Sequence, residues 1–222
     1  MFLYCRLLFL KKMVIKKLVL DHKGGFYFYR AHQSKIDKLC SNGFSVLKDY
    51  IEDMFWNCPN KYFQDGPRGS KLKFKLNSSL NQLSGHEMSL LASMGLTNYK
   101  DRYKTNHSKV QVFMLENDDK TIAVEVPVWI YGKELNGINS ETITGHIDVL
   151  RIENDKVWIW DYKPKAIEEK YAATQTYFYS LMLSKRTGID LDNFRCGYFD
   201  DRHAFVFDPS KVNLKNESLV SF

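Results

Sequence analysis

The sequence predicts an α/β fold with a mixed central β-sheet flanked by helices. Its 222 residues are enough for one sizeable domain. Apolar residues alternate in several short segments, which is typical of strands, while residues 34–57 and 166–186 repeat at helical spacing. Helices come first, then antiparallel strands, a helix and more strands. We expect an N-terminal extension of strands over residues 1–33 and one globular domain over residues 34–222.

The first half of the chain contains strand, helix and loop signals in turn. Residues 13–30 alternate as one or two strands around a turn at Lys23-Gly24-Gly25. Two short helices are predicted on either side of Asn42-Gly43, the second ending near Pro59. Residues 60–72 read as a Gly/Pro-rich basic loop. Ser84-Gly85-His86-Glu87 matches a capping box for a helix that Gly95 ends.

The second half is predicted to be richer in strands. Residues 109–115 and 121–131 are interpreted as two strands. A central hairpin follows over residues 144–162, with Asn154-Asp155 as its turn. Residues 166–186 are predicted to form a helix closed by Gly188, and residues 194–199 and 203–207 a last hairpin.

Composition and charge restrict the class of protein only broadly. The formal charge of +6, with 14% aromatic residues and a pI near 9.0, is compatible with a polyanionic partner. Four scattered cysteines, without C-x-x-C spacing, favour reduced thiols and an intracellular location. The basic, interrupted apolar N-terminus is too short to span a membrane and lacks a signal cleavage site. It is interpreted as a first strand or as leader residues before Met13.

The central hairpin carries two carboxylates and a lysine. Side chains alternate between the faces of a strand, so His146 shares a face with Asp148, and Asp161 shares one with Lys163. Asp161 continues a row of apolar residues, where a bare charge is costly to bury. A cation shared with Asp148 would resolve that cost. The sequence therefore predicts a divalent-metal hydrolysis site. On the following helix Gln175 and Tyr179 are one turn apart and share a face.

The order Asp148, Asp161-Tyr-Lys163, then Gln175-x-x-x-Tyr179 resembles the PD-(D/E)XK nuclease superfamily. The closest branch is the RecB-like group, which includes the CRISPR-associated RecB-type exonucleases. The resemblance covers roughly residues 45–207 and includes the Cys-Pro and basic-aromatic segment after residue 57. It implies a restriction-endonuclease-like core around the predicted sheet.

The resemblance also implies roles for individual residues. Asp148, Asp161 and the Tyr162 backbone carbonyl would bind Mg²⁺ or Mn²⁺, and Lys163 would be the catalytic lysine. Gln175 and Tyr179 would line the active site. Relatives carry an upstream histidine and an acidic residue at the metal, for which His86 and Glu125 are the candidates. His146 is interpreted as structural.

Two cofactors or modules are predicted to be absent. Some relatives bind an iron–sulfur cluster through four cysteines, but only Cys196 follows the Gln-x-x-x-Tyr helix, so no cluster is expected. No phosphate-binding G-x-x-x-x-G-K-[ST] loop occurs, so a helicase or recombination protein would be a separate partner.

The predicted function is a Mg²⁺- or Mn²⁺-dependent deoxyribonuclease, a RecB-like exonuclease of DNA repair, recombination or defence. Single- or double-stranded DNA is the expected partner, and no membrane is involved. Two alternatives remain: a restriction- or transposon-type endonuclease of the same superfamily, and an inactive nucleic-acid-binding module. Basic residues proposed to contact phosphates are Lys165, Arg68, Lys185 and Arg186.

Overall fold

A computed structural model describes residues 15–73, 76–135 and 142–212. The predictions for residues 1–14, including the leader or first strand before Met13, lie outside these ranges. None of the described helices combines the length and the apolar character that a membrane span requires.

Within the described ranges, eight strands form one mixed sheet, in the spatial order β1-β2-β4-β5-β6-β7-β8-β3. Neighbours are antiparallel except β6 and β7, which are parallel. This confirms the predicted α/β fold with a mixed sheet and flanking helices. The strand bounds are Ile15–His22 (β1), Gly25–His32 (β2), Asn81–Ser84 (β3), Thr121–Ile130 (β4), Ile143–Glu153 (β5), Lys156–Tyr162 (β6), Phe194–Phe199 (β7) and His203–Phe207 (β8).

In the part of the chain that the structure describes, six α-helices accompany the sheet, and the apolar side chains form two cores. One core contains residues of α1, α2 and α6, and the other contains residues of α4 and α5. The sheet is therefore covered on both faces. The helix bounds are Gln33–Leu39 (α1), Ser45–Asn57 (α2), Asn60–Asp65 (α3), Glu87–Asn98 (α4), Asn106–Asn117 (α5) and Ala172–Thr187 (α6).

The predicted central hairpin is present as β5 and β6. Its turn residues Asn154 and Asp155 both adopt positive φ, 50° and 53°, as a two-residue hairpin turn requires. After β6 the chain crosses through α6 to reach the parallel strand β7, because a parallel neighbour needs a long crossover connection. Gly188 ends α6 at φ 73° in the left-handed conformation, which confirms the predicted stop.

The N-terminal hairpin is part of the main sheet. β1 and β2 pair over their whole length, and Arg30 and Ala31 of β2 pair with Val124 and Ala123 of β4. The described part of the predicted N-terminal extension, residues 15–33, therefore adds two strands to the sheet, and β1 is its edge strand.

The prediction of a strand over residues 109–115 is wrong, because this segment lies inside helix α5. Thr105 caps the helix by accepting a hydrogen bond from the Ser108 backbone N–H. All residues from Val110 to Leu115 are buried, so the apolar periodicity that marks an exposed helix is lost. Gly95 lies inside α4 and does not end it; a Cβ there would lie 3.1 Å from the α5 backbone. The missing side chain lets the two helices pack closely.

Three further boundaries differ from the prediction. The basic loop over residues 60–72 contains α3 and a 3₁₀ turn at Gly69–Lys71. The cap of α4 is His86, whose side chain accepts from the Met88 N–H, while Ser84 lies in β3. The crossover helix α6 begins at Ala172, because residues 166–168 form a separate 3₁₀ turn.

A buried ion-pair network ties β5 to helices α4 and α5. Arg151 is fully buried, with its Nε 3.1 Å from Asp118 Oδ2 and its Nη2 2.8 Å from Glu87 Oε2. Asp118 is 5% exposed, so removing Arg151 would leave the Asp118 charge buried and uncompensated.

We expect Arg151→Ala to lower the free energy of unfolding by about 3–5 kcal/mol, measured by urea titration. Arg202→Ala, which removes an exposed arginine, is the matched control and should change it by about 0.5 kcal/mol or less. Equal, small losses in both variants would show that the buried network contributes little.

Candidate active site

A cavity of about 320 Å³ opens where β5 and β6 separate. It brings together side chains from the N-terminal hairpin, the segment after α3, α5, the central strands and α6. The residues that line it are Tyr27, Arg68, Ser70, Thr105, His107, Glu125, His146, Asp148, Asp161, Lys163, Gln175 and Tyr179. All five residues predicted to be catalytic lie in this one cavity.

The position of Asp148 follows from the way the central hairpin ends. Backbone pairing between β5 and β6 runs from Glu153–Lys156 to Val149–Trp160 and then stops. Beyond that point the Tyr162 N–H donates to the Asp148 side chain, with 2.9 Å between N and Oδ2. The carboxylate thus replaces a backbone acceptor and enters the gap between the strands.

The Asp161 carboxylate is held by a network from its own strand and from α6. Lys163 Nζ lies 2.6 Å from Asp161 Oδ2, and Gln175 Nε2 donates to Asp161 Oδ1 at 3.0 Å. The Gln175 amide makes two further contacts. Its Oε1 accepts a hydrogen bond from Lys163 Nζ at 3.0 Å, and its Nε2 donates to the Tyr179 hydroxyl at 3.0 Å. The predicted one-turn spacing of Gln175 and Tyr179 therefore places both against the carboxylate.

Burial makes the ionised form of these carboxyl groups costly. Asp148 and Asp161 are 8% and 1% exposed. Burial, and then the neighbouring charge of Asp161, raise the pKa of Asp148 to about 6. Burial alone would lower the pKa of Lys163, but the two aspartates raise it on balance. The site therefore holds one positive charge, that of Lys163, beside two buried carboxyl groups.

Glu125 adds a third carboxyl group to the cavity wall. It lies between Val124 and Val126, which pair with Val149 and Ile147, so it stands opposite Asp148. Its φ of 54° is strained for a residue with a side chain. Gln111 of α5 donates to its Oε1 at 2.7 Å. Burial, and then the charge of Asp148, raise the pKa of Glu125 to about 8.

The histidine prediction requires a correction, because His86 is not among the described residues that line the cavity. Its ring caps α4 and lies 5.3 Å from the Trp160 ring, between centroids. His107 occupies the cavity instead, with its Nε2 3.9 Å from Asp148 Oδ2. It was missed because the start of α5 was not recognised; Thr105, three residues before Ser108, is the capping signal that could have located it.

The four predicted phosphate contacts separate into one inside the cavity and three outside it. Arg68 lines the cavity. Lys165 is exposed and pairs with Glu168 at 3.3 Å. Lys185 and Arg186 lie in the last turn of α6, about 15 Å along the helix from Gln175. Arg186 pairs with Glu134 and packs on the Tyr131 ring, so the structure gives it a packing role.

The donor set suits a hard divalent cation. Asp161 Oδ2 is buried beside the Lys163 ammonium, 2.6 Å away, and the Asp148 carboxylate lines the same cavity. No three His, Cys, Asp or Glu side chains within the described ranges form a ready-made metal site. Mg²⁺ does not need one, because it commonly uses one or two carboxylates and keeps several waters. The Tyr162 backbone lies close to Asp148, because its N–H donates to that side chain.

A mixed sheet that presents two buried carboxylates and a lysine at a strand gap defines a restriction-endonuclease-like protein. In a comparison with protein-family models, residues 57–221 match the PD-(D/E)XK nuclease superfamily. The match spans well over half of the chain, and the protein belongs to this superfamily. Membership implies a metal-dependent nuclease that acts on nucleic acid. A search of curated proteins finds no match.

We expect Asp148→Asn to stabilise the metal-free protein by about 2–3 kcal/mol at pH 8. The native pKa of Asp148, about 6, lies above the ordinary value of 3.8. The wild-type carboxyl therefore costs stability as pH rises from about 4 to about 6, and the cost then stays constant. The gain from Asn should vanish below pH 4.

Thermal unfolding at pH 4 and pH 8, with and without Mg²⁺, measures this effect. Mg²⁺ should stabilise the wild type and not the variant, since a ligand stabilises only the state that binds it. Asp190→Asn, an exposed aspartate, is the control. A variant less stable than the wild type at pH 8 without metal would contradict the account.

Gly145 gives Tyr179 its place in the site. A Cβ on Gly145 would overlap the Tyr179 ring, with Cζ 2.9 Å away, and that ring is 1% exposed. We expect Gly145→Ala to cost about 1–3 kcal/mol of stability through overpacking, measured by urea titration. Adding Tyr179→Leu should recover part of that loss. Wild-type stability in Gly145→Ala would show that the ring moves freely.

Proposed function

We propose that the protein is a Mg²⁺- or Mn²⁺-dependent deoxyribonuclease of the RecB-like branch, an exonuclease of DNA repair, recombination or defence. One observation carries the proposal: Asp148, Asp161 and Lys163 share one cavity with the Gln175–Tyr179 pair. Because DNA is a polyanion, two buried acids would repel it. A bound cation and the Lys163 ammonium would offset the charge of the two carboxylates and allow the DNA to approach.

In this proposal Asp148, Asp161 and the Tyr162 backbone carbonyl hold the metal. Glu125 and His107 stand beside Asp148 and are proposed to complete its surroundings, with His107 taking the part predicted for His86. When bound, Mg²⁺ or Mn²⁺ would activate water and polarise the scissile phosphoryl group. The prediction that no iron–sulfur cluster is bound stays a prediction.

Lys163 has the geometry of a group that stabilises charge in the reaction. Its ammonium is mostly buried and already oriented by Asp161 and Gln175, so it needs little rearrangement to meet a phosphoryl oxygen. A preorganised charge of this kind acts on the negative charge that develops in the transition state. Lys163 is proposed to orient the attacking water and to stabilise that charge.

Gln175 and Tyr179 are proposed to position the two reactive side chains. The Gln175 amide contacts Asp161, Lys163 and Tyr179 at once. Such a connected network fixes the orientation of each member. These contacts support the RecB-like assignment, since the resemblance on which it rests includes this helix.

The mode of cleavage is tested with linear and circular DNA, single- and double-stranded, in Mg²⁺ or Mn²⁺. An exonuclease produces mononucleotides or short products from linear DNA and leaves circles intact. Nicked or linearised circles would favour the restriction- or transposon-type endonuclease. Binding without any cleavage would favour the inactive module. A helicase or recombination protein is proposed only as a separate partner.

We expect Lys163→Met to lower the cleavage rate about 10²–10³-fold while the fold is kept, because Met conserves the aliphatic stem and removes the charge. Asp161→Asn should lose activity similarly. The control is Lys156→Met, at the other end of the same strand, about 20 Å away. Unchanged cleavage by Lys163→Met, with circular dichroism showing a native fold, would refute the assignment of the lysine.

A further inference from the structure

Arg68 is held at the cavity by a column of aromatic rings that the reaction does not explain. Its guanidinium carbon lies 4.8 Å from the centre of the Tyr27 ring. The Tyr27 ring stacks on His146, with centroids 3.8 Å apart and an interplanar angle of 4°. The column connects the N-terminal hairpin to the strand that carries Asp148.

The base of the column is a buried pair of histidines. His22 Nδ1 lies 2.8 Å from His146 Nε2, and His22 Nε2 lies 2.8 Å from Asn60 Oδ1. Because an amide oxygen only accepts, His22 donates to Asn60 and accepts from His146. Phe63 stacks on the other side of His22, 4.2 Å between centroids. Both imidazole rings are therefore fixed in orientation and form a rigid platform for Tyr27.

Arg68 itself is fixed at both ends. Its backbone bridges to Thr144 at the start of β5, and its Nη1 donates to the Lys23 carbonyl at 3.0 Å and to the Tyr27 hydroxyl. The other two guanidinium nitrogens, Nε and Nη2, donate to none of the described residues. Neither is among the buried polar atoms that lack a partner, so both are open to solvent. Two donors of a preoriented planar fork thus remain for a ligand.

The chemistry of those donors selects a phosphate. A guanidinium fork matches phosphate oxygens in bidentate geometry, and a side chain that is already ordered loses little conformational entropy on binding. Arg68 shares the cavity with Asp148 and Asp161. The family match begins at residue 57. Tyr27 and His22 precede that residue, so these two members of the column belong to the N-terminal hairpin, which the family match does not include.

We propose that the N-terminal hairpin forms the substrate-binding wall of the cavity. In it Tyr27, seated on the His22–His146 pair, acts as a positioning residue that holds Arg68 against a phosphodiester group next to the one cleaved. This inference rests on the proposed nuclease function and adds a binding residue and its support.

The experiment measures binding of a fluorescent single-stranded oligonucleotide to Lys163→Met protein with Ca²⁺ over a series of salt concentrations. Adding Arg68→Gln should weaken binding about tenfold and reduce the slope of log affinity against log salt by about 0.7, one phosphate contact on a single strand. Gln keeps a donor for the Lys23 carbonyl. Lys38→Ala, which removes an exposed lysine of α1 outside the cavity lining, is the control and should leave the slope unchanged.

The role of Tyr27 is tested by a double variant. Tyr27→Leu should weaken binding as Arg68→Gln does, and the combined variant should be no weaker than Arg68→Gln alone, because Tyr27 acts through Arg68. Tyr27→Phe keeps the ring and should stay near the parent affinity. In the catalytically active protein, which keeps Lys163, the single substitution Arg68→Gln should raise KM about tenfold and change kcat little.

Two results would overturn the inference, and they are distinguishable. If the wild-type protein cleaves DNA but Arg68→Gln binds with an unchanged salt slope, Arg68 is only a structural latch for the hairpin, even if its melting temperature falls. If the wild-type protein neither binds nor cleaves nucleic acid, the proposed function fails as well.

Discussion

Two carboxylates buried side by side, at the point where β5 and β6 stop pairing, are the constraint on which the site depends. Asp148 occupies the position of a backbone acceptor through the Tyr162 N–H, and the Asp161 carboxylate lines the same cavity, paired with the Lys163 ammonium. Neighbouring features follow from this placement. Gly145 leaves room for the Tyr179 ring, and the strained backbone at Glu125 places a third acid opposite Asp148.

The sheet is covered on both faces, and each face supplies the cavity with different chemistry. Helix α6 brings Gln175 and Tyr179, which orient the acid and the lysine. Helix α5 brings Gln111 to Glu125 and His107 to Asp148. The reactive groups therefore lie on rigid strands and are supported from both sides. Such support keeps catalytic groups near their productive geometry.

The central hairpin, α6 and the last two strands could be predicted because their signals are local. Asn154-Asp155 has the turn chemistry that a hairpin requires, and Gln175 and Tyr179 are related by one helical turn. Helix α5 could not be predicted, since every residue from Val110 to Leu115 is buried and no helical periodicity remains. His107, at the start of this helix, was therefore not recognised as a site residue. The stack of Tyr27 on His146 joins residues far apart in sequence, so only the folded sheet brings them together.

One divalent cation is proposed to bind between the Asp148 and Asp161 carboxylates. Crystals soaked in Mn²⁺ and measured for anomalous scattering test it most directly. We expect a peak about 2 Å from a carboxyl oxygen of both Asp148 and Asp161, and no such peak in crystals of Asp161→Asn. A peak elsewhere in the molecule, or none at a Mn²⁺ concentration that supports cleavage, would contradict it.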